Sequence, residues 1–213
     1  LPTIRSRCQT YEFNRISVED IVRNLKEIAV KESVTIDIEA LHIIAQKADG
    51  AMRDALTLFD QTVAFCGQNV SYEQVISTLN VLDYEYYIRL TNHFLNSSHA
   101  EVMLIFDEIL SKGFNALHFI SGLSSHFRDL LICKDRSTRQ LLDLAPSVAE
   151  KYSEQSERCS LNFLYDALSI TTACEAGYKL SGNQRLHIEF ALFRLCRLTS
   201  PDWISGEVKR GVV

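Results

Sequence analysis

Apolar residues recur along most of this chain at intervals of three and four, the period of a helix buried on one face. Ser17-Val18-Glu19-Asp20 reads as a capping-box start, with Asp20 in the place usually held by Glu or Gln. Ile21, Val22, Leu25, Ile28 and Ala29 then form one stripe. Asp37 caps a second predicted helix running to Ala48, with Ile38, Leu41, Ile44, Ala45 and Ala48 inward and Asp49-Gly50 as its stop. A third is expected from Ala51 to Phe65, ending before Gly67, and a short fourth from Ser71 to Asn80.

Beyond residue 80 the predicted helices lengthen and their apolar residues enlarge. They cover 83–95, 98–112 (Val102, Ile105, Phe106 and Ile109 inward), 115–134, a short piece at 141–145, 147–155 after Pro146, 160–180 and 184–198. Residues 1–13, rich in Thr, Ile, Tyr and Phe, read as an extended lead-in. The tail from Pro201 reads as loose. The pattern therefore predicts an all-α chain: a four-helix unit to about residue 80, then a larger helical bundle over 81–199.

Composition narrows the function classes. With 46% apolar and 23% charged residues, eight Gly and three Pro, the chain has globular and helical proportions. No apolar run reaches the roughly 18 residues of a membrane span, and no signal peptide opens the sequence, so a cytoplasmic protein is expected. The net charge of −5 argues against a broad nucleic-acid surface. Because the first residue is Leu, a piece of a longer protein is expected.

The six cysteines, Cys8, Cys66, Cys133, Cys159, Cys174 and Cys196, are widely and irregularly spaced with no C-x-x-C. Most sit among apolar neighbours and read as buried hydrophobes, without a zinc site or other metal. His118 and His126 are expected to be packing or surface residues. A Cys–His enzyme built on Cys133 and His126 is the alternative they would permit.

Two arginines carry the candidate chemistry. Arg53 stands near the start of the third helix, where backbone amides already favour an anion and a cation is locally unfavourable. Either it contacts a phosphate, or it is a solvated side chain pairing with Asp49 or Asp54. Arg7, between Ser6 and Cys8 on the lead-in, is either an ordinary exposed cation or one that reaches a neighbouring surface as a phosphate-stabilising finger.

Together the two segments resemble a known family. Ser6-Arg7-Cys8 resembles the S-R-C motif of AAA+ clamp-loader subunits. Gly50-Ala51-Met52-Arg53-Asp54-Ala55-Leu56, continuing to Asp60-Gln61, resembles their sensor-2 segment in the form found in the bacterial DNA polymerase III gamma/tau subunits. The related replication factor C subunits usually lack the Asp-Gln ending.

The resemblance implies that residues 1–16 end an ATPase core, 17–80 form its helical lid, 81–199 form a collar and 200–213 a flexible tail. Arg53 would touch the nucleotide of its own subunit, and Arg7 that of the next. ATP with magnesium would be the cofactors of the whole protein, with none bound to this portion. The partners implied are delta, delta-prime and further gamma/tau copies through the collar, with the sliding clamp and primer-template DNA in the full assembly. The phosphate-binding loop G-x-x-x-x-G-K-[ST], the acidic magnesium motif and the four-cysteine zinc module are absent from these residues, so ATP hydrolysis by this chain alone is not expected. A helical scaffold without a nucleotide link, or the lid and collar of a replication factor C-like subunit, are the alternatives. The collar holds more aromatics than one bundle needs inside, from Tyr84 to Phe193, so some are expected at subunit contacts, with self-association at high concentration.

Overall fold

The computed structural model describes residues 7–9, 11, 14–142 and 144–199. These form ten α-helices, two short 3₁₀ turns and one pair of two-residue strands. The chain divides into two compact units between Leu79 and Asn80.

The first unit holds α1 (Val18–Lys31), β1 (Thr35–Ile36), α2 (Ile38–Lys47), α3 (Met52–Cys66), β2 (Asn69–Val70) and α4 (Tyr72–Leu79). Ser17 caps α1, its hydroxyl accepting from the Asp20 amide at 3.2 Å and donating to the Asp20 carboxylate at 2.8 Å. At α4 the box closes fully: Ser71 Oγ accepts from the Gln74 amide, and Gln74 Oε1 accepts from the Ser71 amide. Ile21, Leu25, Leu41, Ile44, Phe59 and Val75 are buried and make the core of this unit.

Three features depart from the periodic reading. The strands pair in parallel, Thr35 opposite Asn69 and Ile36 opposite Val70, tying the α1–α2 loop to the α3–α4 loop. Ile38 is exposed, and Ala40 takes its place on the inner face of α2. Asp37 occupies the position before α2, yet its carboxylate accepts from the Tyr72 amide at 2.9 Å instead of capping its own helix.

The second unit holds α5 (Tyr84–Leu95), α6 (His99–Ser111), α7 (Ala116–Cys133), α8 (Pro146–Arg158), α9 (Leu161–Gly177) and α10 (Gln184–Arg197). Helix α7 is its centre and packs most extensively on α9. Phe94, Phe106, Phe119 and Phe127 are buried to 1% exposure or less, each contributing about 1.5–3 kcal/mol by leaving water. Val102, Ile105, Phe106 and Ile109 are the buried face of α6, the four residues its periodicity selects. Side-chain caps at Asp83, Asn115, Ser160 and Asn183 start α5, α7, α9 and α10.

Helix α8 runs to Arg158, three residues beyond the predicted end. The short piece predicted at 141–145 is instead a 3₁₀ turn at Arg139–Leu141, and the end of the predicted 160–180 helix tightens to a 3₁₀ turn at Tyr178–Leu180. The tail from Pro201, and most of the lead-in, lie outside the described residues.

The first six helices each end in a residue of left-handed conformation: Ser33, Asp49, Gly67, Asn80, Ser97 and Gly113. After α1, α5 and α6 the following amide reaches back to close the turn, as Val34 does to Ala29, Ser98 to His93 and Phe114 to Ile109.

Candidate functional site

Arg53 lies in the first turn of α3, and the turn before it sets its surroundings. Asp49 (φ +47) and Gly50 (φ +81) are both left-handed and reverse the chain after α2. Ala51 follows in extended geometry with no side-chain cap, its amide bonded back to Ala48 at 2.9 Å. Its own carbonyl takes the amides of Asp54 and Ala55. The amides of Met52 and Arg53 have no acceptor among the described residues.

Helix α3 is amphipathic about this start. Ala55, Phe59 and Thr62 are buried, while Arg53, Thr57, Asp60 and Gln61 are exposed on the outer side. Among the described residues the Arg53 guanidinium makes no ion pair, and neither Asp49 nor Asp54 takes it. Asp49 pairs instead with Arg15. The result is an unpaired cation on a helix start with two open amides, an arrangement suited to an anionic group.

The lead-in meets this turn directly. The Ile16 amide donates to the Gly50 carbonyl at 3.1 Å. A Cβ placed on Gly50 would lie 2.6 Å from Arg15 Cβ and 3.2 Å from Arg15 Cα, so glycine is required by close approach as well as by φ. From the sequence, Asp49-Gly50 reads as a helix stop, Gly50 as the start of the sensor-2-like segment and Asp49 as a candidate partner of Arg53. Its contact with Arg15 and Ile16 is long-range and leaves no local signal beyond the glycine itself.

Arg7 lies in a turn and is exposed, as is Cys8 beside it; neither has a partner among the described residues.

In the second unit, Leu186, Phe190 and Phe193 follow one another along α10 at helical spacing and are 57%, 62% and 39% exposed. Leu186 and Phe190 line a shallow groove with Ser181, Asn183 and His187. Arg194 is exposed on the same helix, and Tyr165 is exposed on α9. Tyr87, Phe94, Phe106, Phe119, Phe127 and Phe163 are core, while Tyr84, Tyr86 and Phe114 pack against it half-buried.

His126 is buried and joined to Thr91, Nε2 to Oγ1 at 3.0 Å, while His118 is exposed. Cys133 is buried, and burial pushes its thiol up, away from a reactive thiolate. Burial raises Cys159 and Cys174 to about 11 and Cys196 to about 12. No group of three or more potential metal ligands occurs among the described residues, nor any helix long and apolar enough to cross a membrane.

Comparison with known proteins matches two successive family models, which meet ahead of α4 and not at the boundary between the two units. Residues 20–68 match the family model of the DNA polymerase III clamp loader subunit ATPase lid domain. Residues 70–205 match that of DNA polymerase III subunits gamma and tau domain III. The chain is 28% identical over 195 residues to DNA polymerase III subunit tau of Bacillus subtilis, covering 92% of this chain and 35% of that protein. It is 26% identical to DNA polymerase III subunit gamma of Buchnera aphidicola, covering 95% and 55% respectively. To Protein STICHEL of Arabidopsis thaliana it is 29% identical, covering 93% and 16%. The chain thus spans well under two thirds of each of these relatives. Among solved structures it resembles the Bacillus subtilis DNA clamp loader delta protein, with a TM-score of 0.52 at 16% identity over 92% of this chain and 61% of that one, a likeness of fold.

Proposed function

The chain belongs to the gamma and tau clamp-loader family of DNA polymerase III, and on that premise we propose that its two units couple the state of a bound nucleotide to assembly of the loader. In this reading Arg53 contacts the phosphates of ATP held by its own subunit, and Arg7 reaches the nucleotide of the next. The observation that carries it is the unpaired Arg53 guanidinium at an uncapped helix start with two open amides.

These residues fit part of an ATP site. They supply an anion-binding edge, while the loop that cradles phosphate and the acidic residues that hold magnesium are not in this sequence. ATP, once bound, supplies the charge that Arg53 reads and the γ-phosphoryl whose departure resets the assembly. Arg7, as a planar permanent cation, would stabilise charge developing on that group in the neighbouring subunit.

The second unit serves as the collar, joining further gamma/tau copies, delta and delta-prime. The exposed Leu186–Phe190–Phe193 stripe with Arg194 has the aromatic and arginine composition of protein interfaces. The sliding clamp and primer-template DNA are then substrates of the whole assembly, not ligands of this chain.

The test uses the intact subunit with its partners. Arg53→Ala is expected to weaken ATP binding. Arg7→Ala is expected to slow DNA-stimulated hydrolysis while ATP binding persists. The pair Leu186→Ser and Phe190→Ser, both solvent-facing, is expected to block ring formation in light scattering without lowering the melting temperature. Arginine variants with unchanged ATPase activity would leave a scaffold without a nucleotide link.

A further inference from the structure

We propose that Arg15, Asp49 and Gly50 are positioning residues: they latch the lead-in onto the turn that carries Arg53, so that the chain before α1 aims that arginine. This rests on the reading of Arg53 as a nucleotide contact.

Three contacts make the latch. The Ile16 amide donates to the Gly50 carbonyl at 3.1 Å. The Arg15 side-chain stem fills the space a Gly50 side chain would need. The Arg15 guanidinium pairs with the Asp49 carboxylate. The ion pair is 74% and 72% exposed at its two side chains, so it adds little to stability. Closing the angle between two segments is a better account of it than holding the fold together. The backbone contact is the rigid part, because only glycine admits both the close approach and the left-handed φ.

The latch reaches Arg53 by a short path. Only Ala51 and Met52 separate Gly50 from Arg53. Ala51 is itself bonded back to Ala48 and forward to Ala55. A shift of the Gly50 carbonyl therefore carries the first turn of α3 with it. On the other side only Ser17 separates Ile16 from α1, and Ser17 caps that helix. The Arg15–Ile16 segment thus meets the starts of α1 and α3 at once. A shift of this segment would be delivered to the outer face of α3, where Arg53, Thr57 and Asp60 stand.

The experiment measures KM for ATP and kcat in the intact subunit assembled with its partners, with melting temperature as the fold control. Arg53→Ala sets the scale, an increase in KM of about tenfold, as for loss of one hydrogen bond to a charged group. Gly50→Ala should approach that increase, and the double variant with Arg53→Ala should be no worse than Arg53→Ala alone. Arg15→Glu, which sets two carboxylates together, should raise KM at an unchanged melting temperature, and adding Asp49→Asn should reverse it. Should Gly50→Ala fail to fold, the exposed Arg15→Glu and its reversal decide. Wild-type KM in the latch variants beside an impaired Arg53→Ala, or additive losses in the double variant, overturns the latch alone. An unchanged KM in Arg53→Ala overturns the nucleotide reading, and the latch with it.

Discussion

Tyr87 lays its hydroxyl against the bare backbone of Gly122: a Cβ at that position would stand 2.0 Å from the Tyr87 oxygen and 2.7 Å from Cζ. The phenol has little room to retreat, since its ring stacks on Phe119 and on His126 and is 8% exposed. Gly122→Ala would ordinarily favour a helix by about 1 kcal/mol. Here overpacking is expected to win, with a net loss of about 1–2 kcal/mol in denaturant unfolding of the second unit. Tyr87→Phe in the same chain removes the closest atom and should recover part of the loss. An unfolding midpoint in Gly122→Ala equal to or above wild type would refute the contact.

His126 should make the second unit acid-sensitive. Burial drives its pKa from 6.5 down to about 3, with Gln155 pulling weakly the other way. Its neighbours Thr91, Tyr87, Phe127, Tyr152 and Gln155 are neutral, and its Nδ1 has no partner. Between those two pH values the unfolded chain holds a proton that the folded one refuses. Stability is therefore complete above about pH 6.5 and falls on acidification to about pH 3, by up to about 1.4 kcal/mol per pH unit from this residue. His126→Gln, which keeps a polar group near Thr91 without titrating, should flatten the slope. Parallel pH profiles for the two proteins would show that His126 is not its source.

Lys134 closes the far end of α8. Its ammonium donates to the carbonyls of Ser156 and Cys159, the latter at 2.5 Å, where the helix presents the negative end of its dipole. Lys134→Met should cost about 1 kcal/mol by removing a charged donor from main-chain acceptors. Lys112→Met, whose ammonium meets only the side chains of Tyr86 and Glu108 at the surface, should cost less. Thermal melts of both variants compare them, and a larger loss for Lys112→Met would reverse the assignment.

Helices whose stripe and cap agree were legible from the residues: α6 buries the four residues its period selects, and Ser17, Asp83, Asn115 and Ser160 cap where their side chains suggest. What escaped depends on distant partners. Asp37 sits where a cap belongs but serves Tyr72, a choice made by the pairing of β1 with β2, and two-residue strands carry no alternation to read. Ile38 is exposed because Ala40 fits the inner face of α2. Arg53 and Arg7 could be singled out by type and place, but that Asp49 pairs with Arg15 and not with Arg53 is something no spacing rule anticipates.

The left-handed residues at the helix ends leave the chain with slack in its thermal endurance. Ser33, Asn80 and Ser97 hold conformations that crowd any side chain, at roughly 1–2 kcal/mol for an ordinary L-residue and less for Asn. Gly67 and Gly113 fill equivalent corners without that toll. Two surface corners, Ser33 and Asn80, could thus be annealed one at a time by glycine, leaving Ser97 and Asp49 untouched because the Ser97 hydroxyl meets Thr199 and the Asp49 carboxylate has a second employment at Arg15. A protein in which stiffness can be added at its corners while the turn beside Arg53 is left alone is one whose durability and whose signalling geometry can be tuned separately.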